Sequence, residues 1–341
     1  MELILTDERY NDVRRLTFSN ADFDIGGEND FEITLPLEDF KPDIKFGCCV
    51  YAPGGECGGI ITGRETNTED RTVKLTGSTW RGMLGNRIIE PPAGSAYRVI
   101  SGELNAVIGE IINSMYGGLI VASEVDTGIT VKYQFERYTT VLAGLQKMLK
   151  QVGYKLHIEY MQQEGGAAGY AAVSAVPIID YSQRIELSQD SRVNFTIGIE
   201  NGTVNHLICL GKGELEQREV IHLYLQRNGE ISSEKAYFGE DEIAAVYENS
   251  NSDDLKADGL EHYEELLQGT SLSMNVESLG ITGVEVGDII GGRDYVTGTQ
   301  IKKPLAGMII TANSQTSIQY NLEAVSYTHL RAHETCADIV C

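Results

Sequence analysis

Phe31-Glu32-Ile33-Thr34-Leu35 alternates apolar and polar side chains, as a strand with one buried face does. Outward from it, residues 49–52, 59–62 and 72–76 read as three more short strands. Between the first two of these, Gly54-Gly55-Glu56-Cys57-Gly58-Gly59 is turn chemistry, because glycine supplies positive φ without steric cost. Residues 1–90 therefore read as an antiparallel β unit. Strands resume at 185–187, 193–199, 206–210 and 220–225. Residues 270–324 return to strand, with Gly287-Asp288-Ile289-Ile290 and Met308-Ile309-Ile310. No internal repeat with a period of about 20–50 residues is visible.

Helices interrupt this pattern. Leu104, Val107, Ile108, Ile111, Ile112 and Met115 share one helical face, with Ser101 as the expected N-cap, Glu103 in the first turn and Gly117-Gly118 as the stop. A second face carries Val141, Leu142, Leu145, Met148, Leu149 and Val152, capped by Thr139 or Thr140 and closed by Gly153. Strands at 129–133 and 154–160 complete a small α+β module over about 95–160. Residues 162–175 are rich in Gly and Ala and read as a hairpin tip or loop. A third helix is expected over about 253–268, with Leu255, Gly259, Tyr263 and Leu266 on one stripe and Asp253-Asp254 suiting its dipole.

The chain has 341 residues, 42% of them hydrophobic and 23% charged, which suits about two globular domains. Its 27 basic and 50 acidic residues give a net charge of -23. Gripping a phosphate backbone needs clustered Lys and Arg, so nucleic-acid or anionic-membrane binding is disfavoured. An acidic surface can still serve DNA by repelling it, as the lining of a conduit would. No run of about 18 apolar residues occurs, so no membrane span is expected. Met1-Glu2-Leu3-Ile4-Leu5-Thr6-Asp7 lacks a basic n-region, and no signal peptide is expected.

The usual signatures of chemistry do not hold. A G-x4-G-K-[ST] loop, an H-E-x-x-H motif and a G-x-S-x-G elbow are absent. Gly211-Lys212-Gly213 reads as a strand-ending turn rather than a phosphate loop. His206 and His222 fall on neighbouring expected strands, which could bring them together, and satisfied strand histidines are the simpler reading. Fifty acidic residues offer too many carboxylate pairs for any one to be chosen. Trp80, the single Trp, reads as a core anchor. Cys48, Cys49, Cys57 and Cys209 lack the paired spacing of a zinc site and read as reduced thiols. No catalytic residue, cofactor or metal is expected.

Val325-Ser326-Tyr327-Thr328-His329-Leu330-Arg331-Ala332-His333-Glu334-Thr335 resembles a translated sequencing adapter, so residues 325–341 are set aside as an artefactual tail.

The order of several motifs resembles the siphovirus Gp37-like tail proteins. They are Gly59-Ile60-Ile61-Thr62-Gly63, Val73-Lys74-Leu75-Thr76-Gly77 and Leu84-Gly85-Asn86-Arg87-Ile88-Ile89-Glu90-Pro91-Pro92, then Val246-Tyr247-Glu248-Asn249-Ser250, Val286-Gly287-Asp288-Ile289-Ile290 and Lys303-Pro304-Leu305. The resemblance covers about 30–324. It implies an α+β, mainly β fold: two tube-like antiparallel β-barrel domains with an inserted α+β module. The expected boundaries are 1–94 for the first barrel, 95–160 for the insertion and 161–324 for the second barrel, whose final strands close it. The motif positions Gly77, Leu84, Arg87, Pro91, Pro92, Gly287 and Asp288 carry over as structural residues, with Gly287-Asp288 in a strand turn.

The function so implied is a structural one, as the hub at the tail tip of a long-tailed phage. A homotrimeric ring would join the tail tube to receptor-binding or lytic parts, in the virion. Its partners would be further copies of itself and distal tail, tape measure and receptor-binding or fibre proteins. Two alternatives stay open: a cell-wall or polysaccharide hydrolase whose catalytic domain lies beyond this chain, and a receptor- or carbohydrate-binding tail module.

Overall fold

Asp30–Pro36 buries every second side chain, with Phe31, Ile33 and Leu35 inside. The same alternation builds the sheet around it. The computed structural model describes residues 1–162, 168–181, 186–187, 194–197, 204–226, 231–250, 254–267, 272–276, 283–293 and 300–322. Contacts divide the chain into two units, Met1–Phe195 with Ser273–Leu322, and Thr196–Leu272 with Glu323–Cys341.

The first unit begins with β1 (Ile4–Thr6), β2 (Asp12–Arg15), β3 (Asn20–Ile25), β4 (Asp30–Pro36), β5 (Cys49–Tyr51), β6 (Gly58–Asn67) and β7 (Thr72–Thr79). Helix α1 (Trp80–Gly85) follows, with the Thr79 hydroxyl accepting from Gly82 N–H as its cap. β8 (Val99–Glu103) runs straight into α2 (Leu104–Ile112). The cap of α2 is Glu103, whose carboxylate accepts from the N–H groups of Ala106 and Thr127, both at 2.9 Å. This corrects the expectation of Ser101, which lies in the ladder opposite Lys132 and cannot also turn into a helix.

After β9 (Ile120–Ala122) and β10 (Thr130–Gln134), α3 (Val141–Gln151) is capped by the Thr140 hydroxyl and ends before Gly153 at φ +74°. β11 (Tyr154–Met161) and β12 (Tyr170–Pro177) pair along their whole length, and β12 pairs parallel to β9. The reading of 162–175 as a loop is therefore wrong for 170–175. Ala171, Val173 and Ala175 alternate inward as small side chains and share one core with the apolar faces of α2 and α3. Small residues carry little hydrophobic signal, so their period was easy to miss.

β13 (Glu186–Leu187) and β14 (Asn194–Ile197) come next. In the second unit, β15 (His206–Leu210), β16 (Val220–Leu225), β17 (Ile231–Ser232) and β18 (Ala244–Glu248) form a four-stranded sheet in the order β17-β16-β15-β18. Helix α4 (Leu255–Leu267) packs on it, burying Leu255 and Tyr263 with Leu207, Cys209 and Leu223. Gly259 lets the helix approach, since a Cβ there would lie 2.6 Å from the Cys209 sulfur. Residues 253 and 268, the expected helix ends, lie outside the described residues.

The first unit resumes with β19 (Leu272–Val276), β20 (Ile289–Arg293), β21 (Gln300–Ala312) and β22 (Thr316–Leu322). The large sheet runs β19-β22-β21-β3-β4-β7-β6-β5-β1-β2. Met308 to Ala312 thus pair with Ile25 to Ala21, tying the last strands to the first segment of the chain. No described helix is long and apolar enough to cross a membrane.

Candidate functional site

Gly287-Asp288 closes a turn just before β20. Gly287 sits at φ +98°, which favours glycine, and a Cβ there would also press on Lys155 Cβ at 3.0 Å. Asp288 is fully buried. Its Oδ2 accepts from Lys155 Nζ at 2.7 Å and from Glu285 N–H at 2.9 Å, and its Oδ1 accepts from Ile179 N–H at 2.9 Å. Lys155 also pairs with Glu285 Oε2 at 2.9 Å, and Glu285 Oε1 meets His157 Nδ1 at 2.9 Å. Backbone bonds from Leu305 N–H to Asp288 O and from Ile289 N–H to Ile179 O lock the same turn. The cluster fastens the start of β20 to β11 and to the end of β12. A buried carboxylate with this many donors engaged is a structural tie.

This cluster sets a pH dependence. Burial raises the Glu285 carboxyl, but the hydrogen bonds of His157 and Lys155 outweigh it and hold it near about 2. The Glu285 hydrogen bond raises His157, against its burial. A depressed carboxyl contributes stability above its unfolded pKa of 4.5, lost as pH falls toward about 2. A raised imidazole contributes stability below its unfolded 6.5, lost as pH rises through the folded value. The thermal midpoint is therefore expected to fall on both sides of a plateau between those unfolded values. Glu103, also held near about 2, shares the acid limb. In a midpoint-versus-pH series, His157→Gln should remove His157's share of the alkaline slope, and an unchanged slope would contradict this.

Trp80 is fully buried, stacked on Tyr160 at 5.2 Å, and Tyr160 meets Tyr51 at 4.0 Å. Next to it, Arg81 is 1% exposed. Its Nε and Nη2 donate to the two oxygens of Glu56, and Nη2 also donates to Leu156 O at 3.0 Å. Neither Arg81 nor Lys155 was picked out by the sequence.

The remaining motif residues hold separate places. Gly77 is in β7, where its missing Cβ leaves room for Ile60 O and the Phe31 ring. Leu84 is buried on α1. Arg87 is exposed, lies 5.8 Å over the Tyr116 ring, and its carbonyl accepts from Val141 N–H at 2.8 Å. Pro91 is half-buried and Pro92 exposed, in a turn where Ser95 N–H donates to Pro92 O at 2.9 Å. Apart from Gly287 and Asp288, these are packing and turn positions, not one convergent site.

In the second unit, β15 and β16 do bring the two histidines together, with His206 Nε2 2.8 Å from His222 Nδ1. His206 Nδ1 meets Glu242 Oε1 at 2.7 Å, and Lys235 donates to Glu242 Oε2 at 2.6 Å. Tyr224 stacks on His206 at 4.4 Å. Both ring nitrogens of His206 are thus taken. Among the described residues, no group of three or more His, Cys, Asp or Glu is placed to hold a metal ion. All four core cysteines are free and buried, and burial pushes the Cys49 and Cys57 thiols up to about 12. Gly211-Lys212-Gly213 ends β15 in a turn with Gly213 at φ +98°.

No family model matches the sequence, and no match was found among curated proteins. Solved structures do match over nearly the whole chain. The 43 kDa tail protein of prophage MuSo2 from Shewanella oneidensis has TM-score 0.61 and 13% identity, covering 96% of this chain and 100% of its own. A tail protein from Neisseria meningitidis MC58 has TM-score 0.53 and 16% identity, covering 94% and 95%. A chain of the phage P2 baseplate, in its activated conformation with Ca, has TM-score 0.50 and 11% identity, covering 95% and 98%. The chain has the fold of these phage tail proteins. Coverage near complete on both sides means that the likeness extends over the whole architecture, not one shared domain. At such identities it is a likeness of fold.

Proposed function

We propose that this chain is a structural component of a bacteriophage tail tip, the hub of the baseplate, and not an enzyme. The observation that carries this reading is the near full-length fold match to tail proteins and to a baseplate chain. The ion pairs agree with it, because Lys155 and Asp288 tie β11 to the turn before β20, and Arg81 and Glu56 tie α1 to the β5–β6 turn. In this reading three copies form a ring that joins the tail tube to distal receptor-binding or lytic proteins. The strands of 1–94, together with the final strands of 300–322 that pair with them, form a tube-like part of its wall, with 95–160 outside. Distal tail, tape measure and fibre proteins are its neighbours, and the virion is its location. The family within this fold is the siphovirus Gp37-like one.

The net charge of -23 supports one further element, a lumen along which DNA slides without sticking. Electron microscopy of the purified chain tests the reading. Class averages should show a three-fold ring with an open centre. Small particles without a centre would contradict it.

A further inference from the structure

Two surface features of opposite character complement each other. The first is an apolar pocket of about 450 Å³ between the loop that follows β4 and the strands β6 and β7. Ile44, Ile61 and Leu75, all buried, form its floor, and Phe40 and Phe46 line it, Phe46 with 59% of its surface exposed. The Arg64 guanidinium lies 5.0 Å over Phe40 and 5.8 Å over Phe46. Among the described residues, no group accepts a hydrogen bond from Arg64, although acidic residues outnumber basic ones 50 to 27 in this chain. Lys45 stands at the same pocket, in an open ion pair with Glu8 at 3.2 Å. An exposed aromatic pocket with an unmatched cation is suited to an apolar side chain carried between carboxylates.

The second feature is Glu214-Leu215-Glu216. Leu215 is 92% exposed and sits at φ +50°, a conformation that a leucine avoids. The turn is fixed by Gln217 N–H donating to Glu214 O at 3.0 Å and Arg218 N–H donating to Leu215 O at 3.3 Å. Glu214 and Glu216 are exposed and have no ionic partner among the described residues. The backbone therefore holds an apolar side chain out in water between two carboxylates. Backbone strain that presents a side chain in this way points to a contact made elsewhere.

We propose that Leu215 of one copy of this chain enters the Phe40–Phe46 pocket of the next, with Glu214 and Glu216 meeting Arg64 and Lys45. This rests on the ring reading above. Two different patches meet, so the contact is heterologous, and heterologous contacts close into rings when the rotation per copy allows. The pairing also offsets charge where copies of net charge -23 must approach.

Light scattering over a concentration series tests the contact on four proteins: the wild type, Leu215→Ser, Arg64→Glu, and the swap Arg64→Glu with Glu214→Lys and Glu216→Lys. Leu215→Ser should weaken self-association about 30-fold, the worth of burying one leucine side chain. Arg64→Glu should weaken it at least as much, and the swap should restore it to within a few-fold of the wild type. All four altered positions, Arg64, Glu214, Leu215 and Glu216, are exposed, so melting curves should match the wild type. If the single variants associate like the wild type, the contact is wrong and the ring stands on another interface. If Arg64→Glu weakens association and the swap does not restore it, the pocket takes a different acidic partner and the pairing is overturned. A wild type that stays single at every concentration overturns both the contact and the ring.

Discussion

Asp288→Ala is expected to lower the unfolding free energy by about 3–5 kcal/mol, the cost of leaving a buried charge without its partner. The side chain it removes is fully buried and accepts from Lys155 and from the Ile179 and Glu285 N–H groups. Lys155 keeps Glu285 as a partner, which places the loss toward the lower end of that range. The two backbone donors have no such reserve. Asp288→Asn keeps an acceptor for Ile179 and should lose less than Asp288→Ala. The double change Lys155→Met with Asp288→Leu should recover part of the loss, because a buried pair replaced by packed apolar groups can be near neutral. Urea unfolding of the four proteins measures this. A loss under about 1 kcal/mol for Asp288→Ala would show that the clasp does not hold the strands.

Gly77→Ala should cost about 3 kcal/mol, at the upper end of what overpacking a core does. The added methyl would stand 1.9 Å from Ile60 O and 2.7 Å from the Phe31 ring. Ile60 O belongs to the backbone of β6, so no rotamer change relieves the contact, and β6 must move away from β7. Strand separation there breaks a ladder that runs the whole length of β7. Gly55→Ala is the control, since a Cβ at Gly55 meets nothing within 4 Å. It should change stability by less than about 0.5 kcal/mol. Equal effects at the two glycines would sink the steric argument.

The parts legible in the sequence are those whose cause is local. Phe31, Ile33 and Leu35 alternate, and they do point inward. The apolar stripes of α2 and α3 and the Thr140 cap follow from spacing within one or two turns. The buried ion pairs were not legible. In β11, Lys155, His157 and Glu159 occupy the alternate positions, which reads as a solvated face. Lys155 is nonetheless buried, because Glu285 and Asp288 cover it from 130 and 133 residues further along. Arg81 is the same case: nothing in its local sequence marks the contacts with Glu56 and Leu156 O that bury it. The histidine pair lies between these cases. Neighbouring strands made the meeting of His206 and His222 foreseeable, whereas Glu242 and Lys235 arrive from a later loop.

These ties share one design: a single chain with its fold closed by long-range contacts. Copies of the chain are proposed to build a ring. The mass of the protein in solution, by light scattering behind size exclusion, tests that most directly. The expected result is a particle of three 37.4 kDa chains that persists on dilution. A single 37.4 kDa species at every concentration would contradict it.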